Sequence, residues 1–233
     1  MAPPMFLLGD SRVRDLTPTN LPIARSWSVS GAKFRDLQDT IEGEFSNLIE
    51  NFDDPPLTYI SAGICNLTHR LRRDYEGGRI DEVIVLPEEN CEETVQTTIN
   101  DIKDLQRHTT SQGAIPVICT IYPMSIIDWN QSRLDQGKTS ILCEAENYQE
   151  MQANLHYMLD QVNEAIIAAN RNFTVKTPQL DKCLYHHRGK SRSASAKYNL
   201  LVDGCHPSTK LIKDICKSLK STMALNSHRA LED

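Results

Sequence analysis

No stretch of this 233-residue chain approaches the roughly 20 consecutive apolar residues that cross a bilayer, so no membrane span is expected. The opening residues, Met1 to Leu8, have neither a basic start nor a long apolar run, and a secretory leader is not expected of them. Positive charge is in short supply: 25 Lys and Arg against 31 Asp and Glu give a formal charge of −6, which offers no global attraction to phosphate backbones or anionic membranes. Cys-x-x-Cys spacing is absent, and the seven cysteines are scattered and odd in number, so neither a disulfide framework nor a zinc site is suggested. His186 and His187 lack the third ligand that a metal site wants. No metal and no cofactor is expected. A reducing compartment, the cytoplasm or the nucleus, is the expected location. There the Asn-x-Ser/Thr patterns at Asn66, Asn130 and Asn172 are chance matches. No internal repeat is present.

What the chain does carry is an alternation of strand and helix patterns. Met5 to Leu8 is a short apolar run that stops at Gly9-Asp10-Ser11, a buried strand ending in a tight loop. From Phe34 the apolar residues recur as Leu37, Ile41, Phe45, Leu48 and Phe52, the spacing of a helix with one buried face, which Pro55-Pro56 ends. Leu57 to Ser61 reads as a second strand running into Gly63. Val83 to Leu86 reads as a third, with an insertion between them. Asn90, with Glu93 three residues on, marks a helix start, continued through Val95, Ile99, Ile102 and Leu105. Ile115 to Ile121 is a strand, Tyr148 to Ala169 a long helix, Phe173 to Val175 another strand. A last helix opens at Pro207 and buries Leu211, Ile215 and Leu219. Asp128 to Lys138 and His186 to Lys197 read as polar surface loops. The pattern predicts an α/β fold with a mostly parallel sheet covered on both faces, and ligands collecting at the carboxyl ends of its strands. One domain is expected over residues 1–225, with a flexible tail at 226–233.

Ser11, Asp203 and His206 are the residues that could carry chemistry. A serine hydroxyl is a poor nucleophile until an imidazole accepts its proton, and the imidazole must be held in the right tautomer by a carboxylate. Asp203-Gly204-Cys205-His206-Pro207 places the carboxylate three residues before the histidine, so that one short segment can present both to a serine at a distant strand end. Gly204 lets that loop bend tightly. Each segment also has a plain reading: Gly9-Asp10-Ser11 as a turn, and Asp203 as a helix cap.

Four segments together, Phe6 to Ser11, Ser28 to Ala32, Ala62 to Leu67 and Asp203 to Pro207, resemble in order the four sequence blocks of the SGNH (GDSL-type) hydrolases. The resemblance spans nearly the whole chain, and similar stand-alone domains occur within animal mobile elements. It implies a flavodoxin-like three-layer sandwich with about five parallel strands. It also implies Ser11 as nucleophile, His206 as base and Asp203 as orienting carboxylate. Gly31 and Asn66 match the oxyanion donors, and Gly63, which heads the third block, is expected with them among the oxyanion and substrate-binding residues. That block departs from the family's Gly-x-Asn-Asp: aligning on Gly63 puts Cys65 at the asparagine position, so either Asn66 is displaced by one residue or the side-chain donor is missing. Cys65 and Cys205 fall near the site.

Two functions are open at this point. One is a serine esterase hydrolysing a small acyl or acetyl ester through an acyl-serine intermediate, its partner being that small-molecule or acylated substrate. The other is a catalytically weak or inactive module of the same fold that binds RNA or a protein. For nucleic acid, the basic loop around Arg188, Lys190 and Arg192 is the sequence support.

Overall fold

The computed structural model describes residues 3–17, 19–49, 51–74, 80–138, 147–185 and 196–229. In chain order the first elements are β1 (Met5–Gly9), β2 (Arg25–Ser28), α1 (Asp36–Glu44), α2 (Ser46–Ile49), β3 (Leu57–Ser61), β4 (Thr68–Asp74) and β5 (Ile80–Pro87). They are followed by α3 (Cys91–Ser111), β6 (Ile115–Ile118), α4 (Ile126–Asp135), α5 (Tyr148–Arg171) and α6 (Thr209–Arg229). Four strands form a parallel sheet in the order β2-β1-β3-β6. Beside it, β4 and β5 make a separate antiparallel hairpin.

The central strand β1 is buried along its whole length, because helices cover both faces of the sheet. Phe6 and Leu8 point into one layer, with Leu37 and Ile41 of α1, Ile102 and Leu105 of α3, and Leu155, Leu159, Val162 and Ile166 of α5. Met5 and Leu7 point into the other, with Leu57 and Tyr59 of β3 and Leu211, Ile215 and Leu219 of α6. This is the expected three-layer α/β sandwich. Burying each such aliphatic side chain contributes roughly 1.5–3 kcal/mol, enough for one stripe of α6 to hold it on the sheet while its other face stays polar.

Several helix boundaries follow from capping. Asn90 caps α3, its side chain accepting the Glu93 N–H at 3.2 Å and donating to the Glu93 carboxylate at 2.8 Å, as its spacing to Glu93 predicts. The apolar run from Phe34 breaks after Glu44 into α1 and the short α2. The segment expected as a loop over 128–138 is largely helix α4: Ser125 accepts the Asp128 N–H at 3.2 Å, and the polar residues that suggest a loop form its exposed face, with Gln131 bonded to Asp135. The last helix starts at Thr209 rather than Pro207, since Pro207 pairs with Leu201 in an antiparallel bridge and Ser208 takes the capping place. It runs on to Arg229, past the expected boundary at 225, because Asn226 is buried and bonds to Tyr59 and to the backbone of Lys176. Residues 230–233 lie outside the described residues.

The expected strand at Phe173 to Val175 does not form, and four strands of the sheet lie among the described residues. Those residues instead close off α5: Thr174 turns into the left-handed region at φ 57°, and the Val175 N–H returns to the carbonyl of Asn170. Val83 to Leu86 belongs to the hairpin and not to the main sheet. The outer edge of β6 is satisfied by side chains. Asn170 accepts the Ile118 N–H at 3.0 Å and donates to the Ile118 carbonyl at 2.7 Å, and Asn163, two turns earlier on α5, does the same for Ile121 just past the strand end at 2.7 and 2.9 Å.

Asn170 is completely buried and bonds also to Thr177. Asn170→Ala strands a main-chain donor and acceptor in the core, so chemical denaturation should show a loss of about 2–4 kcal/mol. A loss below about 0.5 kcal/mol, the size of an ordinary surface change, would mean that the edge of β6 does not depend on this amide.

Candidate functional site

The carboxyl ends of β1, β2 and β3 lie side by side in register, Gly9 facing Ser28 on one flank and Ser61 on the other, and the loops that leave them build the site. Gly9 is required there, because a Cβ on it would stand 2.1 Å from the Ser61 carbonyl oxygen. Ser11 opens a single 3-10 turn capped by Asp10, whose carboxylate accepts the Arg12 N–H at 2.9 Å. Arg12 is itself 3% exposed, and folds its guanidinium back on Asp10 at 3.3 Å, donates to the Tyr122 carbonyl at 2.9 Å and lies 4.2 Å above the Tyr122 ring. Burial works most strongly on this charge and against it, but Asp10 together with the neighbouring Tyr122 and Cys205 prevails and holds the guanidinium above its ordinary range. The ion pair fixes the turn that aims Ser11. Sequence reasoning misses Arg12, whose one signal is a charged i, i+2 pair at the end of an apolar strand.

The second half of the site comes from the far end of the chain. Ser11 Oγ lies 3.0 Å from His206 Nε2, and His206 Nδ1 lies 2.7 Å from Asp203 Oδ2. The other oxygen, Asp203 Oδ1, accepts the N–H groups of Cys205 and His206 at 3.0 and 2.8 Å. Burial opposes ionisation of Asp203, but the bonds from the His206 ring and these two N–H groups prevail and hold the carboxyl below its usual range. An ionised carboxylate only accepts, so Nδ1 carries the ring proton and Nε2 is left to accept from the serine hydroxyl. The loop's position is set by Gly204 at φ 84°: its carbonyl accepts the Ser125 N–H at 2.7 Å, and a Cβ would stand 2.4 Å from the Trp129 N. Trp129 of α4 rests against the His206 ring at 5.7 Å between centroids. The polar composition of 126–138 hides this contact from a sequence reading.

Ser11 and His206 open onto a cavity of about 420 Å³ that Gly31, Cys65 and Trp129 also line. Gly31 has φ 73°, a left-handed conformation that suits glycine. The structure separates the other two expected oxyanion residues from this cavity. Gly63, at φ 113°, faces the core, where a Cβ would meet Ile121 and Phe34 at 2.5 and 2.6 Å. Asn66 accepts the Phe34 N–H at 3.0 Å and donates to Asp101 at 2.9 Å, and it lines a neighbouring polar cavity of about 530 Å³. Cys65, not Asn66, faces Ser11's cavity, as alignment on Gly63 requires. Burial pushes the Cys65 thiol up, and pushes that of the buried Cys205 up to about 12, so both are protonated at neutral pH.

The basic residues Arg188, Lys190 and Arg192 lie outside the described residues, whose flanks Tyr185 and Ala196 are joined by an antiparallel bridge. Among the described residues no group of three or more His, Cys, Asp or Glu is arranged to hold a metal, and no helix is long and apolar enough to cross a membrane.

No protein-family model matches the chain, and no curated protein matches it by sequence. Solved structures do. A Desulfitobacterium hafniense protein assigned to the lipolytic G-D-S-L family is similar over 94% of this chain and 98% of its own, with 10% identity and a TM-score of 0.53. An extracellular lipase from Streptomyces rimosus is similar over 95% of this chain and 100% of its own, at 14% identity and a TM-score of 0.51. The OSK domain of Drosophila Oskar is similar over 93% and 86%, at 11% identity and a TM-score of 0.54. These likenesses cover more than nine-tenths of the chain, which has the α/β fold of the SGNH (GDSL-type) hydrolases.

Proposed function

We propose that this chain is a serine hydrolase of ester bonds, with Ser11 as nucleophile, His206 as general base and Asp203 as the carboxylate that orients it. The observation that carries this reading is the unbroken hydrogen-bond chain from Ser11 through His206 to Asp203, at 3.0 and 2.7 Å, opening onto a cavity. Ser11 Oγ attacks the acyl carbon while its proton passes to His206 Nε2. Collapse of the tetrahedral adduct breaks the bond to the alcohol oxygen, which takes that proton and leaves. A water molecule, giving its proton to Nε2, then attacks the acyl-serine; the acid departs and Ser11 Oγ recovers the proton. A cavity of about 420 Å³, shared between acyl and alcohol parts, suits a small acyl group.

The oxyanion needs donors that are in place before the reaction. Main-chain N–H groups of Ser11 and Gly31 are the ones this reading assigns. Asn66 is committed to Phe34 and Asp101, and Cys65 offers only a weak S–H donor. Loss of one such donor costs about 10²–10³ in kcat, so slow hydrolysis is expected. The alternative of a binding module rests on the basic loop at 188–192, and no contact among the described residues favours it.

On a short-chain aryl ester, Ser11→Ala and His206→Ala should abolish turnover, and Asp203→Asn should lower kcat about 10⁴-fold by releasing the ring tautomer. Undiminished turnover in Ser11→Ala contradicts the proposal. Asn66→Ala should cost about 1–3 kcal/mol of unfolding free energy through the unpaired Phe34 N–H, while Cys65→Asn should raise kcat. A fall of about 10²-fold or more in the kcat of a folded Asn66→Ala protein would instead assign the missing oxyanion donor to Asn66.

A further inference from the structure

We infer that the Ser11 cavity takes molecules bearing an anionic group, a carboxylate or a phosphate, which Lys33 and Arg70 hold beside the reacting carbonyl. Besides His206, four basic side chains line this cavity: Arg12, Lys33, His69 and Arg70. Arg12 is neutralised by Asp10, and His69 faces Glu88 at 3.4 Å. Neither Lys33 nor Arg70 forms an ion pair with a carboxylate among the described residues. Asp10 is the one carboxylate among the described lining residues, and it is buried and already paired. Among the described residues the cavity wall therefore carries two positive charges with no ion-pair partner, in a chain whose formal charge is −6, and Lys33 also borders the neighbouring cavity, where it acts on Asp101. That local reversal of sign is what selects an anionic ligand.

The placement of Arg70 ties this charge to the reacting centre. Its guanidinium packs over Gly31, where a Cβ would stand 3.4 Å from Nη2, so it sits at the loop assigned to the oxyanion. Lys33 leaves the same loop two residues later. Both cations act on the Cys65 thiol on the cavity wall, opposing the burial and the Asp10 charge that raise it. A guanidinium fork and an ammonium lining one cavity suit the oxygens of a carboxylate or phosphate. Ile64, Met124 and Trp129, which line the same cavity, are apolar and accommodate methylene groups. The two kinds of lining together describe an ester whose acyl or alcohol part ends in an anion. Turnover of such an ester rests on the hydrolase reading; its binding does not.

Two pairs of esters of matched size test this. 4-Nitrophenyl hemisuccinate against 4-nitrophenyl butyrate places the anion on the acyl side, and acetylated glycerol 3-phosphate against acetylated glycerol places it on the alcohol side. At low salt at least one anionic ester should be preferred about 10-fold or more in kcat/KM, with the preference falling as salt rises and collapsing in Arg70→Gln and Lys33→Gln. The pair that shows it identifies the side. Hydrolysis of the neutral esters with no preference in either pair overturns the inference and leaves the hydrolase reading standing. If no ester is hydrolysed, binding of the same four compounds to Ser11→Ala decides. Tighter binding of an anionic member, weakened in the Arg70→Gln and Lys33→Gln background, supports the inference while the hydrolase reading fails; equal binding within both pairs overturns it.

Discussion

One hydrogen bond, from Ser11 Oγ to His206 Nε2, joins side chains 195 positions apart and depends on two loops being held still at once. The serine loop is fixed by the parallel sheet beneath it and by the buried Asp10–Arg12 pair. The histidine loop is fixed by Gly204 against the start of α4 and by the Leu201–Pro207 bridge. Contacts of the fold hold both loops, so the ordering cost of the bond is met by the fold itself, before any ligand arrives. The sheet's order matters to this. β1 lies inside it, flanked by β2 and β3, so the turn that carries Ser11 is braced on both sides.

Polar groups placed deep in the molecule do most of this bracing. Arg12 and Asp10, each nearly inaccessible, satisfy one another and the Tyr122 carbonyl, so that the chain after β6 is tied to the serine turn. Asn163 and Asn170 finish the open edge of the sheet and lead its last strand into that same chain. Buried groups of this kind cost more when half-satisfied than an apolar core would, which gives the arrangement its specificity. The region that receives a ligand is held by a polar frame set inside an aliphatic sandwich.

Much of this was legible in the residues. The apolar run at Met5 to Leu8 and the helical spacing of Leu155, Leu159, Val162 and Ile166 report burial directly, and burial is what positions strands and helices here. The resemblance of the four ordered segments, with Asp203 three residues before His206, anticipates the hydrogen-bond chain. What escaped detection depends on contacts that have no local pattern. The 126–135 segment looks like a loop because its surface is polar, yet one serine cap and the packing of Trp129 make it the helix that supports His206. Phe173 to Val175 has strand composition but is consumed in ending α5. The side chain of Asn66 was ambiguous because its direction is decided by Phe34 and Asp101, distant in sequence, and not by its neighbours.

The account stands on Ser11 being activated by His206, and reaction with a fluorophosphonate probe measures that activation without any knowledge of the substrate. The predicted result is stoichiometric labelling that peptide mapping places on Ser11 and that Ser11→Ala and His206→Ala both remove. A folded protein that stays unlabelled, or that is labelled equally well after His206→Ala, would contradict it.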